Sequence, residues 1–460
     1  MKKLPLSSRR FTITALLFVV VLLISAGSYS FFATTRKANA AAALTPHPIF
    51  VNPQYSDAGV PDASGLFLCQ TPAYAIHCYG PKQFQNAYTV KPLLDAGIQG
   101  QGSTIVIIDA FQSPTVRQDL ATFSKAFNLP AANLKIYTPD GIPAWDPKDA
   151  NMAGWGEEIS LDVQWSHALA PKAKIVLVEA KSNQDSDLLS VTKYAVDHNL
   201  GDVISQSFGE GESCADPAVL KAEHEVFEAA TKKHITIFAS AGDNGSAQPS
   251  CDGNSFFLSA STPASDTLVT GVGGTQLVAD LKTGKYISES VWNETVTGYG
   301  AGGGGYSTVY TRPDFQNSVT SKKGRGVPDV SADAAVNGGV LVAVSYVPSG
   351  KQGGPWHIFG GTSASSPEWA GLIALGDQLA GHRLGFINDA LYKLGKSKDY
   401  SKAFHDITVG NNSFVGTDAK GNPVKVNGFS AKKGWDAATG WGSPIAAKLL
   451  PLLEKYNNED

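Results

Sequence analysis

Charge is scarce in this chain. Asp, Glu, Lys and Arg together make up 17% of its 460 residues, against roughly 25% in ordinary soluble domains. The net charge is −4, so the basic excess that phosphate backbones require is missing and a nucleic-acid surface is excluded. A surface with few titrating groups suits a protein that works away from neutral pH. Beyond one N-terminal stretch, no run is long and apolar enough to span a bilayer. The chain has 4 cysteines and no Cys-x-x-Cys spacing, which argues against a thiolate zinc site. It also has no His-Gly-Thr-His segment. His167 and His224 fall inside expected helices, in settings that suit structural roles. Glycine is plentiful at 47 residues, implying many tight turns and close backbone approaches.

The N-terminus carries Lys2, Lys3, Arg9 and Arg10. An apolar run from Thr14 to Ala26 follows, and small residues then lead to Ala38-Asn39-Ala40. This is the order of a signal peptide, with cleavage expected after Ala40. Left uncleaved, the segment would anchor the chain in a membrane. In both cases the remainder faces outward, and the expected location is secreted or extracellular. An even cysteine count in an exported protein implies disulfides. Cys69 with Cys78 and Cys214 with Cys251 are the favoured pairs, because each closes a loop rich in Pro, Asp, Gly or Ser.

Residues 41–80 are rich in Pro, Ala and Gly and read as an N-terminal extension. From Pro81 the pattern becomes regular. Short apolar runs at 103–109, 174–179, 202–207 and 235–240 read as buried strands. Helical patterns occupy parts of 112–127, 188–198 and 218–233. Strands alternating with helices imply an α/β fold, a mostly parallel central sheet covered by helices on both faces. Shorter strands and the Gly-rich 300–306 loop follow. Leu341–Tyr346 reads as a strand and 364–380 as a long helix. Residues 81–460 are expected to form one domain.

Three segments carry the chemistry. The first is Gly360-Gly361-Thr362-Ser363-Ala364-Ser365-Ser366-Pro367. A serine at a helix start has backbone N–H groups and the positive helix end beside it, which suits a developing oxyanion. Pro367 lies near the helix start, where its missing N–H matters least. The second is Glu157-Glu158-Ile159-Ser160-Leu161-Asp162-Val163-Gln164-Trp165. On a helix Glu158 and Asp162 lie about 40° apart. Leu161, Trp165, Ala168 and Leu169 share their direction, so both carboxylates fall inside an apolar stripe. Burial and mutual repulsion should raise at least one of their pKa values, as in an acid/base device. Glu157 points to the side. The third segment, Ser240-Ala241-Gly242-Asp243-Asn244-Gly245, follows an expected strand. Alone, its Asp reads as a turn-former.

Taken together, these segments resemble the sedolisin family of serine-carboxyl peptidases, which share the nucleophile motif of subtilisins. Ser205-Gln206-Ser207-Phe208-Gly209, Gly271-Val272-Gly273-Gly274-Thr275 and Arg325–Asp333 extend the resemblance over residues 81–444. The resemblance implies a subtilisin-like three-layer fold with Ser363 as nucleophile and Glu158 as general base. It implies Asp162 as the residue that orients Glu158, and Asp243 as an oxyanion-hole acid working with the Ser363 N–H. It also implies one structural Ca²⁺ in a C-terminal loop. The ion would be held by the carboxylates of Asp406 and Asp436 and the backbone carbonyls of Ile407, Lys432 and Gly434. Lys432 stands where the family often has Gly. Asp109 is expected to be structural.

The expected activity is acid-acting hydrolysis of protein or peptide substrates by a monomer, through an acyl-enzyme. The family usually carries a large folded propeptide, and residues 41–80 are too short for one. Two rival readings remain. One is an inactive cell-surface binding protein of the same fold, disfavoured by the intact residue set. The other is a subtilisin-type peptidase, disfavoured by the missing histidine motif.

Overall fold

The computed structural model describes residues 45–48, 58–59, 61–62, 65–346 and 354–458. The expected signal segment, 1–40, lies outside the described residues. The central sheet has eight strands: β1 (Thr104–Ala110), β2 (Asn133–Tyr137), β3 (Lys174–Ala180), β4 (Val203–Gln206), β5 (Thr236–Ser240), β6 (Thr270–Ala279), β7 (Tyr286–Val291) and β8 (Val330–Asp333). Their order is β7-β6-β5-β4-β1-β3-β2, with β8 also paired to β6. Every pairing is parallel except that of β6 with β7.

Side-chain alternation explains the layers. In β1, Ile105 and Ile107 join one core, while Val106 and Ile108 join another. Ile175 and Leu177 in β3 divide from Val176 and Val178 in the same way. Both faces of a parallel strand are therefore apolar and both need cover. One face is covered by α1 (Ala150–Leu169) and α4 (Thr362–Ala380), through Trp165, Leu169, Trp369 and Ile373. The other is covered by α2 (Asp185–Asp197) and α3 (Pro217–Lys232), through Leu188, Val191, Phe227 and Ala230. This is the α/β layering expected of the sequence.

α1 differs from its expected amphipathic form. From Glu158 to Leu169 every residue is buried. α1 packs on the sheet, on α4, and on strand Gly339–Ala343, to which Trp165 Nε1 and Gln164 Nε2 donate hydrogen bonds. It has no wet side over that length, so the burial of Glu158 and Asp162 follows from enclosure all round.

The disulfides are Cys69–Cys78 and Cys214–Cys251, as the loop reading favoured. Among the described residues, no helix is long and apolar enough to cross a membrane.

Candidate active site

Parallel sheets gather functional groups at the carboxyl ends of their strands. Three adjacent strands do so here. Asp109 is the penultimate residue of β1, Ser207 follows β4, and Asp243 lies three residues past β5. The N-terminal end of α4 and the middle of α1 meet them from the helical layer.

Ser363 is the second residue of α4, where the sequence reading had placed it just ahead of the helix. The helix starts there because Gly361 caps it with φ +107°, a region L side chains rarely adopt. Pro367 lies within the helix. It is four residues past Ser363, so the Ser363 carbonyl loses its helical N–H donor. Ser207 Oγ lies 3.5 Å from that carbonyl but has a shorter contact, 2.9 Å, with Asp162 Oδ1. A hydroxyl has one proton, and the shorter contact takes it. Ser363 Oγ in turn donates to the Ser207 carbonyl at 3.0 Å. Ser207 thus ties the serine to the acid helix.

Glu158 is fully buried, and neither of its carboxyl oxygens makes a hydrogen bond of ordinary geometry. Burial pushes its pKa well above the usual carboxylate range, and the charges of Asp162 and Asp109 push it further. The nearby Ser363 hydroxyl pulls the other way, toward the ionised form. Catalytic hydrogen bonds are often open in the absence of substrate. Burial pushes the Asp162 carboxyl up as well, while Ser207 and Glu158 oppose the shift. Such a pair titrates as a unit, sharing a proton.

Asp243 Oδ1 accepts from Thr362 N–H at 2.8 Å and from Thr362 Oγ1 at 3.0 Å. Its Oδ2 is shielded from water and has no partner. The residue as a whole is half-buried, because it also lines an open cleft of about 390 Å³. Burial of the carboxyl raises its pKa to about 8 against the Thr362 bonds.

Asp109, expected to be structural, lies close enough to the acid pair for its charge to act on Glu158. It is completely buried, both its carboxyl oxygens lack partners, and its pKa is raised by burial, then by Asp162 and Glu179. Its position at a strand end was the available signal, and its proximity to Asp162 was not visible. The histidines stand apart from this chemistry. His167 Nε2 bonds to the Pro130 carbonyl, and His224 Nδ1 bonds to Asp266.

In the C-terminal loop, Asp406 and Asp436 both hold the turn at 432–434. Gly434 N–H donates to Asp406 Oδ1 at 3.1 Å, and Lys432 N–H donates to Asp436 Oδ2 at 2.9 Å. Both charges act on the Tyr400 hydroxyl. Ile407 is buried beside them. Among the described residues no cluster of three or more His, Cys, Asp and Glu side chains forms a metal site. Two neighbouring carboxylates with carbonyls from the same turns are a hard-oxygen donor set, which fits calcium better than a transition metal.

The subtilase family model matches residues 150–384. That span holds the whole Glu158, Asp162, Asp243 and Ser363 set. A solved structure of Pseudomonas sedolisin, a serine-carboxyl proteinase complexed with two molecules of pseudo-iodotyrostatin, superposes with a TM-score of 0.69. Identity is 30%, over 82% of this chain and 98% of that one. The chain belongs to the sedolisin family. Among curated sedolisin relatives, kumamolisin of Bacillus sp. (strain MN-32) is 32% identical over 85% of this chain and 66% of its own length. Sedolisin of Pseudomonas sp. (strain 101) is 30% identical over 82% of this chain and 61% of its own. The chain thus spans about two thirds or less of the length of these curated relatives.

Proposed function

We propose that this chain is a secreted, acid-acting serine-carboxyl peptidase. The observation that carries the reading is the meeting of one serine hydroxyl with buried carboxyl groups whose pKa values are raised. A serine needs a base, and Glu158 is the group beside it. In the proposed reaction Ser363 Oγ gives its proton to the Glu158 carboxylate as it attacks the peptide carbonyl carbon. The oxyanion accepts hydrogen bonds from the Ser363 N–H and from protonated Asp243, through its unpartnered Oδ2. Collapse breaks the C–N bond, and Glu158 returns the proton to the leaving amine. Water then enters and attacks the acyl carbon while giving a proton to Glu158; collapse breaks the bond to Ser363 Oγ, and Glu158 returns that proton to Oγ. Asp162 holds Glu158 in place by sharing a proton with it.

Asp243 can donate only when protonated, so the proposed mechanism fails above about pH 8, where that carboxyl loses its proton. Calcium would be held by the Asp406 and Asp436 carboxylates with the carbonyls of Ile407, Lys432 and Gly434. When bound, the ion would supply structural cross-linking of the loop rather than chemistry. Two disulfides support export to an oxidising compartment. Substrates are proteins or peptides, by analogy with the relatives' names.

Casein cleavage by the wild-type chain and by Ser363→Ala tests the reading. The wild type should cut casein in acid, and the variant should lose cleavage while keeping its circular dichroism spectrum. Retained cleavage by the folded variant would refute the nucleophile assignment.

A further inference from the structure

Ser207 touches both halves of the proposed chemistry. It follows β4 and is completely buried. Its carbonyl accepts the Ser363 hydroxyl at 3.0 Å. Its own hydroxyl has two acceptors within reach, Asp162 Oδ1 at 2.9 Å and the Ser363 carbonyl at 3.5 Å. The second is open because Pro367, inside the helix, has no N–H to give it.

Charge decides between the two acceptors. A hydrogen bond to a carboxylate is shorter than one to a neutral carbonyl and about twice as strong. An ionised Asp162 therefore takes the Ser207 proton. The other Asp162 oxygen is buried and has no partner, so this bond is what fixes the carboxyl. The charges that act on the pair from outside are of the wrong sign to help. Asp109 reaches Glu158 from β1, and Glu179 reaches Asp109 from β3. Hydroxyls oppose the burial instead, Ser363 at Glu158 and Ser207 at Asp162.

We infer that Ser207 is a positioning residue of the reaction, whose hydroxyl holds Asp162 Oδ1 as a fixed acceptor and so, through Asp162, readies Glu158 for the Ser363 proton. The inference rests on reading Glu158 as base and Ser363 as nucleophile. Without the hydroxyl, Asp162 Oδ1 is buried with no donor, and the pair gives up its proton less readily. A hydrogen bond to a charged group is strong enough to move that titration by about one pH unit or more. Ser207→Ala keeps the carbonyl that receives Ser363 Oγ, so the loss falls on kcat in acid and not on KM.

The test compares the full wild-type chain with Ser207→Ala and Ser207→Thr. In the substrate-free chain, infrared titration follows the carboxyl C=O band, and the part that Asp162→Asn removes belongs to the pair. Ser207→Ala should move that part up by about one pH unit or more. On a peptide substrate the acid limb of kcat should move up with it, lowering kcat on that limb about tenfold and leaving KM unchanged. Ser207→Thr, which keeps a hydroxyl, should restore both. A merely structural serine would lower Tm, or kcat at every pH, and move neither the titration nor the limb. That result in folded Ser207→Ala overturns the inference, as does an infrared shift with the limb in place. If the infrared titration moves but the wild-type chain cuts no peptide at any pH, the hold of Ser207 on Asp162 stands and the catalytic reading is what fails.

Discussion

Thr362 N–H, one residue before Ser363, donates to Asp243 Oδ1 at 2.8 Å and leaves Oδ2 buried without a partner. One oxygen is thus fixed and the other is free to carry a proton toward a substrate. Asp243→Ala removes that donor and should reduce kcat roughly 100- to 1,000-fold, the usual cost of an oxyanion-hole donor. Asp243→Asn keeps an N–H donor at every pH. It should retain more activity than the alanine variant, and its alkaline limb should extend upward, since loss of the Asp243 proton near pH 8 no longer matters. Peptide hydrolysis by both variants across pH checks this ordering.

Asp109 is buried and its pKa is raised well above the usual carboxylate range, so it is neutral in acid. Asp109→Asn keeps both the size and the neutral state of the side chain. The folded variant should therefore keep the acid limb of kcat/KM in place. A limb that moves downward in pH would show that Asp109 carries a charge beside Glu158 in the working enzyme.

The buried carboxyls also bear on stability. Asp243 rises from 3.8 to about 8 on folding, and burial pushes Asp162 in the same direction. The folded chain therefore holds protons that the unfolded chain has released, and stability falls as pH rises between those values. The Asp243 contribution is complete below about pH 4 and lost on passing about pH 8. Thermal melts should show a Tm that declines from acid toward neutral and alkaline pH. A Tm that climbs across that interval would contradict the burial of these groups in the protonated form.

Calcium makes a separate prediction. If Asp406 and Asp436 hold the ion, a chelator should lower Tm by several degrees, since a ligand at 100 times its Kd contributes about 2.7 kcal/mol. Added Ca²⁺ should restore the loss. Asp436→Asn should be insensitive to both treatments.

Much of this was legible in sequence because β1, β3, β4 and β5 are compact apolar runs, which only a strand buried on both faces accommodates. β2, Asn133–Tyr137, was not found. It lies at the sheet edge and alternates exposed with half-buried residues. β6 has no strand reading in the sequence, because glycines interrupt its apolar pattern. A Cβ on Gly273 would meet Pro328 Cγ at 2.6 Å, and one on Gly274 would meet Ala334 Cβ at 2.7 Å. Close packing, not turning, requires those glycines. Asp243 had looked like a turn-former, and its carboxyl does accept a backbone N–H, but that of Thr362, more than a hundred residues away. The contacts of Ser207 with Asp162 and Ser363 depend on elements brought together only by folding.

The most direct test of the central claim is the pH dependence of kcat/KM on a peptide substrate. Hydrolysis requires the coupled Glu158–Asp162 pair to have given up one of its two protons, which the Ser363 and Ser207 hydroxyls favour against burial, and Asp243 to keep its own. The profile should be bell-shaped with its maximum below pH 7 and should fall toward and beyond about pH 8, where Asp243 loses its proton. A rate that climbs through neutrality to an alkaline plateau would contradict a carboxyl-based site.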